Sequence, residues 1–337
     1  MAEPHAPVSS QAAPADAPAP SRALPSDLRR RLRAETWQRA KQMRLLYLLF
    51  LLPLAIFIVF HYFPIYGNII AFKDFRIGRG YWGSRWVGLL HFEDFFRNPY
   101  AWRIIRNTVV ISTLKLLWGF PAPILLALLV NELTSQPFKK TVQTISYLPH
   151  FMSWVILATI LREILSPQSG PLAQIAIWLG QEPPDVLQTS SLFRPMLIVT
   201  EIWKEMGWQS VIYLAALASI DPELYESATV DGTNRVQRTI HITLPSLLPV
   251  ITILAILRIG RLLEGGFEQI FNLYNPLVYE VADVIDTFVY RRAFEGEGGL
   301  NQYDYTTAVT LFQRGLGFLL LLGAHKLARR LTGQGVW

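Results

Sequence analysis

Apolar positions in this chain gather into long runs separated by short polar stretches. Residues 45 to 72 hold no Asp, Glu, Lys or Arg, and neither do 141 to 161 or 239 to 257. Residues 107 to 131 hold only Lys115, and 305 to 325 only Arg314. One further run, 195 to 220, is apolar apart from Glu201, Lys204 and Glu205. A helix needs about 20 mainly apolar residues to cross a bilayer, and lipid leaves no partner for an unpaired backbone group. The pattern therefore predicts an all-α membrane protein with about six transmembrane helices.

Composition agrees. Of 337 residues 51% are hydrophobic and 17% charged, where a soluble domain carries about 25% charged residues. Mean hydropathy is +0.28. With no cysteine, disulfides, thiolate metal sites and cysteine nucleophiles are excluded. No His or Asp cluster has metal spacing, and no nucleophile–base pair is in view, so no catalytic residue and no metal site is expected. The pI near 9.5 does not point to nucleic acid, because the basic residues lie beside apolar runs and report topology.

Three regions follow. Residues 1 to 44 read as a disordered, basic cytoplasmic tail, rich in Ala, Pro and Ser to residue 27 and then carrying Arg29, Arg30, Arg31, Arg33, Arg39, Lys41 and Arg44. A signal peptide is not expected, because the apolar run is too long, begins late and lacks a small-residue cleavage site. Residues 45 to 330 form the transmembrane domain, and 331 to 337 a short cytoplasmic tail. Six spans from a cytoplasmic N-terminus place Lys139, Lys140, Arg235, Arg238 and Lys326 on the same side, as the positive-inside rule asks. The segment 73 to 106, with seven Lys or Arg, disagrees. It also holds Gly78-x-Gly80-x-x-Gly83, which no strand–helix pattern surrounds; it reads as a glycine-rich turn. No G-x-x-x-x-G-K-[ST] phosphate loop occurs, so the chain is not itself a P-loop ATPase.

The polar insert PELYESATVDGTNRVQRTIHITLP, 222 to 245, is the most informative segment. Asp221 is placed to cap a helix that has Pro222 at its first position and Glu223 in its first turn. Gly232 suits the left-handed residue that ends such a helix. A second short helix fits 233 to 243, with Val236 and Ile240 on one side. A compact two-helix surface between spans is suited to docking; a well-capped connector is the plainer reading.

Glu226-Ser227-Ala228, three residues, Gly232, nine residues, Ile242-x-Leu244-Pro245 resembles the E-A-A-x-x-x-G-x₉-I-x-L-P motif of type I ABC importer permeases, with Asp231 before the glycine as in the sugar branch. Ser227 stands where the motif has its middle alanine. Three further stretches, FRNPYAWRIIRNTVV, KKTVQTISYLPHFMSW and GFEQIFNLYNPLVYEVADVIDTFVYR, are similar to the polysaccharide and lipo-oligosaccharide branch, and the likeness covers about 45 to 330. The resemblance implies the MetI-like permease fold with the insert as its cytoplasmic coupling helices, in the bacterial inner membrane. It implies a second permease subunit as a heterodimer partner, two ATP-binding subunits that bind ATP and Mg, and an external solute-binding protein. No cofactor belongs to this chain. Glu226, Ser227, Ala228, Asp231, Gly232, Leu244 and Pro245 are the implied ATPase-coupling residues. An ion-coupled secondary transporter is the alternative; it calls for two similar halves, which the sequence does not display.

For the substrate pathway, Glu201, Trp203, Lys204, Glu205, Trp208 and Gln209 either line a sugar path or form an internal ion pair that fixes packing. Arg258 and Arg261, three apart, meet carboxylates on an acidic oligosaccharide such as alginate, pair with Glu201, Glu205 or Glu264, or snorkel. His150 after Pro149 interrupts the third run and reads as a packing residue rather than a proton relay. Pro53, Pro121 and Pro123 read as helix kinks. The segment 264 to 303, with Asn272, Tyr274 and Asn275, is expected to contact the binding protein.

Overall fold

The computed structural model describes residues 42–296 and 302–332. The expected tail up to residue 41, residues 297–301 of the 264 to 303 segment, and the last five residues lie outside the described residues. The chain divides into two compact units, residues 1–66 and 67–337.

In the first unit α1 (Arg44–Phe57) runs on through a π-helical turn, Ile58–Tyr62, where the i→i+5 pattern lets one extra residue into the helix. All side chains from 42 to 66 are exposed, Leu, Phe and Ile among them. A helix apolar on every side with nothing of its own unit over it is built for a lipid or protein environment.

The second unit opens with a 3-10 helix, Asn68–Phe72, followed by a two-stranded hairpin, β1 (Lys73–Asp74) antiparallel to β2 (Arg85–Trp86), Lys73 opposite Trp86. Its turn holds Gly78-x-Gly80-x-x-Gly83, with Gly80 at φ 64°, so the motif is the turn its composition suggests. After α2 (Leu90–Arg97), the Asn98 side chain accepts from Tyr100 N at 2.9 Å and Pro99 starts α3 (Pro99–Gly119). Phe120 separates α3 from α4 (Pro121–Asn131), and the two form one 33-residue apolar stretch. Next come α5 (Gln136–Tyr147) and α6 (Trp154–Ile164), joined through Pro149, His150 and a 103° bend. Further along lie α7 (Pro171–Trp178), the 28-residue α8 (Ser190–Leu217), α9 (Pro222–Val230), α10 (Arg235–Arg238) and α11 (Leu244–Gly260). The chain closes through α12 (Phe267–Leu273), α13 (Tyr279–Ala282), α14 (Ile285–Phe294) and α15 (Tyr303–Thr332).

Among the described residues four helical stretches are long and apolar enough to cross a membrane: 44–72, 99–131, 235–260 and 303–330; the bent pair 136–164 makes a fifth. The sixth expected span, 195 to 220, is α8. At 1.5 Å per residue it is about 42 Å long, ample for a bilayer, but Arg194, Glu201, Lys204 and Glu205 keep it from passing as uniformly apolar. Those charges are answered from inside the protein; Arg194, for one, donates to Asn107 Oδ1 at 2.8 Å and to the Val281 carbonyl at 3.0 Å.

Helix α8 is the centre of the unit and packs on α3, α4, α5 and α11. Ile111, Leu157, Leu197 and Ile270 bring α3, α6, α8 and α12 into one buried cluster, while Ala127, Tyr213, Leu217 and Leu247 do the same for α4, α8 and α11. Two glycines allow the closest approaches. A Cβ on Gly207 of α8 would collide with the Ser146 carbonyl of α5, and one on Gly260 would stand 2.8 Å from the Leu321 side chain of α15. Beyond α12, the buried Asp283 and Arg291 form a two-pronged ion pair at 2.7 and 2.9 Å. The Asn107 amide donates to the Glu280 and Asp283 carbonyls, which ties this segment to α3.

Candidate functional site

A cavity of ≈ 700 Å³ opens among α3, α8, α11, α12 and α14. On α8, Glu201, Glu205 and Gln209 recur every four residues, so one helical face presents all three to the cavity. Arg258 near the end of α11 and Arg261 just past it line the same space. Trp203, Lys204 and Trp208 project from other faces of α8 and do not line it. Trp203 and Trp208 are exposed, whereas Lys204 is buried and donates to the His150 carbonyl at 2.8 Å.

The charges pair in a definite way. Glu201 takes the Lys115 ammonium at 2.9 Å on one oxygen and the Arg258 guanidinium at 3.4 Å on the other. Lys115 also donates to Gln269 Oε1 at 2.6 Å, and Gln269 in turn donates to the Leu197 carbonyl and Thr200 Oγ1 at 2.7 and 2.8 Å. Each charge of this core therefore has an opposite charge in reach, which is what makes charge tolerable at depth in a membrane protein. Glu205 pairs with His150 Nδ1 at 3.0 Å and with Lys204 at 3.6 Å, and the His150 ring stacks on Trp208 at 4.8 Å. His150 thus holds the bend between α5 and α6 onto α8. Glu264 on the cavity rim is paired with Arg314 of α15.

Arg261 is different. Its side chain is exposed on the cavity wall and forms no ion pair or hydrogen bond among the described residues. Phe267, Tyr290 and Trp154 line the same cavity. The cavity therefore combines one free guanidinium, fixed carboxylates and aromatic surface, a lining suited to a polar ligand carrying rings and negative charge.

Sequence reasoning missed Lys115, Gln269 and Asp286 as cavity residues. Lys115 had a signal: it is the lone charge of an apolar run, and so is Arg314. Asp286 accepts from Gly265 N at 3.3 Å and from Gln313 Nε2 at 3.0 Å; burial holds its carboxyl above the ordinary carboxylate range.

The polar insert has the geometry its sequence predicts at its start. Asp221 caps α9 by accepting from Glu223 N at 3.0 Å, and Gly232 follows the helix with φ 75°. Asn234 and Gln237 form a reciprocal capping box at 2.8 and 2.9 Å. The second helix differs from the expected 233 to 243: α10 is four residues, then Thr239–Thr243 is a π-helical turn leading straight into α11. The insert is braced by Arg238 Nη1 donating to Thr229 Oγ1 at 2.9 Å and by Tyr225 Oη and Thr243 Oγ1 at 3.0 Å. Ala228 is buried beneath it. Glu226, Ser227, Asp231, Gly232, Leu244 and Pro245 are exposed, along with the apolar side chains of Leu224, Val230, Val236 and Ile240.

A multi-pass helical protein with a polar cavity among its spans and a rigid knob between two of them has the construction of a membrane transport subunit. Residues 119–328 match the model of the binding-protein-dependent transport system inner membrane component, and the chain belongs to that family. It is 42% identical over 305 residues to Protein LplB of Bacillus subtilis (strain 168), covering 90% of this chain and 94% of the relative. It is 41% identical over 296 residues to the polygalacturonan/rhamnogalacturonan transport system permease protein YteP of the same organism, covering 88% and 91%. Its fold superimposes with a TM-score of 0.80, at 42% identity, on a chain of a bacterial ABC transporter involved in the import of the acidic polysaccharide alginate, covering 88% of this chain and 99% of that one. The protein is therefore a permease subunit of the inner membrane, and its family is binding-protein-dependent.

Proposed function

We propose that this permease carries acidic oligosaccharides, and that it does so as one of two pathway-forming subunits driven by two ATP-binding subunits that bind ATP and Mg. An external binding protein delivers the substrate. The insert at 222–245 then faces the cytoplasm together with both termini, and Glu226 with the exposed Leu224, Val230, Val236 and Ile240 meets the ATP-binding subunit. ATP binding and release would tilt the insert and favour one packing of the helices over the other.

The observation that carries the acidic substrate is Arg261, a guanidinium on the cavity wall without a carboxylate of its own, three residues from Arg258, which has one. A substrate carboxylate supplies the missing partner in a bidentate geometry that only arginine offers. The reading is supported by the printed roles of the relatives: polygalacturonan/rhamnogalacturonan transport for one, alginate import for a structural neighbour that also occurs in complex with an alginate pentasaccharide-bound periplasmic protein.

The test is uptake by the reconstituted complex with an acidic and a neutral oligosaccharide of equal length. Arg261→Gln should weaken acidic uptake about tenfold, the value of one charge-assisted hydrogen bond, and leave neutral uptake within twofold. Equal loss on both would assign Arg261 to packing.

A further inference from the structure

A second cavity, ≈ 420 Å³, lies beside the first and shares Val289, Phe294 and Thr310 with it. Its chemistry is of another kind. No Asp, Glu, Lys, Arg or His lines it among the described residues, whereas the first cavity is walled by charged side chains. Aromatic faces come from Phe75 and Tyr81 of the hairpin segment and from Phe294 and Tyr303, with the last two edge to face at 6.2 Å. Thr306, Thr307 and Thr310 of α15 form a hydroxyl ladder, since spacings of three and four put them on one face. Each threonine spends its proton on a helix carbonyl: Thr306 on Gln302 at 2.8 Å, Thr307 on Tyr303 at 2.6 Å and Thr310 on Thr306 at 2.9 Å. Their oxygens are left as acceptors. Asn68, on the same lining, has a side-chain amide without a hydrogen-bond partner among the described residues.

Aromatic faces, hydroxyl acceptors and no charged lining describe a site for a neutral, donor-rich, ring-shaped group. A lipid tail would use the aromatic faces but has no proton for the threonine oxygens. A carboxylate would enter a space that offers it no cation and would lose hydration without compensation. We propose that this cavity is a second saccharide subsite, which takes the ring face and hydroxyls of a neutral sugar unit that follows the uronate held at Arg261. It rests on the reading of the protein as an acidic-oligosaccharide permease and adds a composition requirement to it: a neutral unit must follow the uronate before the second cavity contributes.

The experiment uses the complete reconstituted complex with a uronate disaccharide and a disaccharide in which a neutral sugar follows the uronate as probes. Asn68→Leu and Thr307→Val, which line only the second cavity, should each raise the KM of the mixed disaccharide roughly threefold, the value of one net hydrogen bond, and the KM of the uronate disaccharide by less than twofold. Thr307→Ser keeps the acceptor oxygen and should match wild type. Equal shifts for both probes, no shift for either, or failure of the serine variant to match wild type would overturn the subsite. If the unaltered complex takes up neither probe, the acidic-oligosaccharide reading falls and the subsite with it; a mixed disaccharide carried normally by both variants overturns the subsite alone.

Discussion

Lys115 and Glu201 stand 86 residues apart in sequence and 2.9 Å apart in space, with only 6% and 17% of their side chains exposed. Helices α3 and α8 are thereby joined by an ion pair at the base of the cavity. Removing one member of such a pair leaves the other buried and uncompensated, which costs about 3–5 kcal/mol, while removing both restores most of the loss. Glu201→Gln is expected to fall near the lower bound, because Lys115 keeps Gln269. The double variant Lys115→Met/Glu201→Gln should recover to within about 1 kcal/mol of the parent. Thermal unfolding of the purified protein measures both, and a double variant as unstable as the single one would show that the two residues act separately.

Gly207 makes a prediction of a different kind. The Ser146 carbonyl occupies the place where a Cβ would go, and it is backbone, so it cannot swing aside. Gly207→Ala should cost about 1–3 kcal/mol by overpacking, and Gly207→Leu should prevent assembly. Gly315, where a Cβ meets nothing within 4 Å, is the control: Gly315→Ala should leave the amount of folded protein unchanged.

Gly232 has open space around it, so only its backbone matters: φ is 75° and nothing lies within 4 Å of a built Cβ. A β-branched residue would raise the cost of that conformation by about 1–2 kcal/mol, whereas asparagine tolerates it. Gly232→Val and Gly232→Pro should leave the protein inserted but lower substrate-stimulated ATP hydrolysis by the reconstituted complex at least fivefold. Gly232→Asn should keep it. Normal stimulated hydrolysis in the valine variant would remove Gly232 from the coupling role.

Asp286 sets a pH dependence. Burial raises its carboxyl above the ordinary range, against the opposing hydrogen bonds from Gln313 and Gly265. A carboxyl with a raised folded-state pKa costs stability when it must be charged, so the cost is full above the folded pKa and disappears below the unfolded one. This residue should therefore make the protein more stable as pH falls through its raised pKa toward about 4. Asp286→Asn should abolish that part of the profile, measured as Tm against pH; an unchanged slope would show that another group titrates.

The parts of the fold that sequence reveals are those decided locally. Asp221, Pro222, Glu223 and Gly232 sit where their capping and φ preferences put them, because each acts within a turn of helix. The face formed by Glu201, Glu205 and Gln209 is likewise a matter of helical period. What the chain does with Lys115 is not local: its partner is chosen by how α3 and α8 pack, and spacing along the sequence carries no trace of it. For the same reason Glu201 is paired with Lys115 and Arg258 and not with Lys204, three residues away, whose amine turns to the His150 carbonyl. The shortened α10 has a similar origin, since one extra residue is absorbed as a π turn instead of ending the helix.

That π turn leaves residues 235–260 as one helical piece of 26 residues, with Arg235 at one end and Arg258 at the other. At 1.5 Å per residue it spans roughly 39 Å, so a tilt of about 5° at the insert would carry the far end some 3 Å. With the insert docked as proposed, the piece would act as a crankshaft: the knob at one end and, at the other, the guanidinium that Glu201 holds at the cavity are turned by the same rod, and neither can shift its angle without the other feeling it.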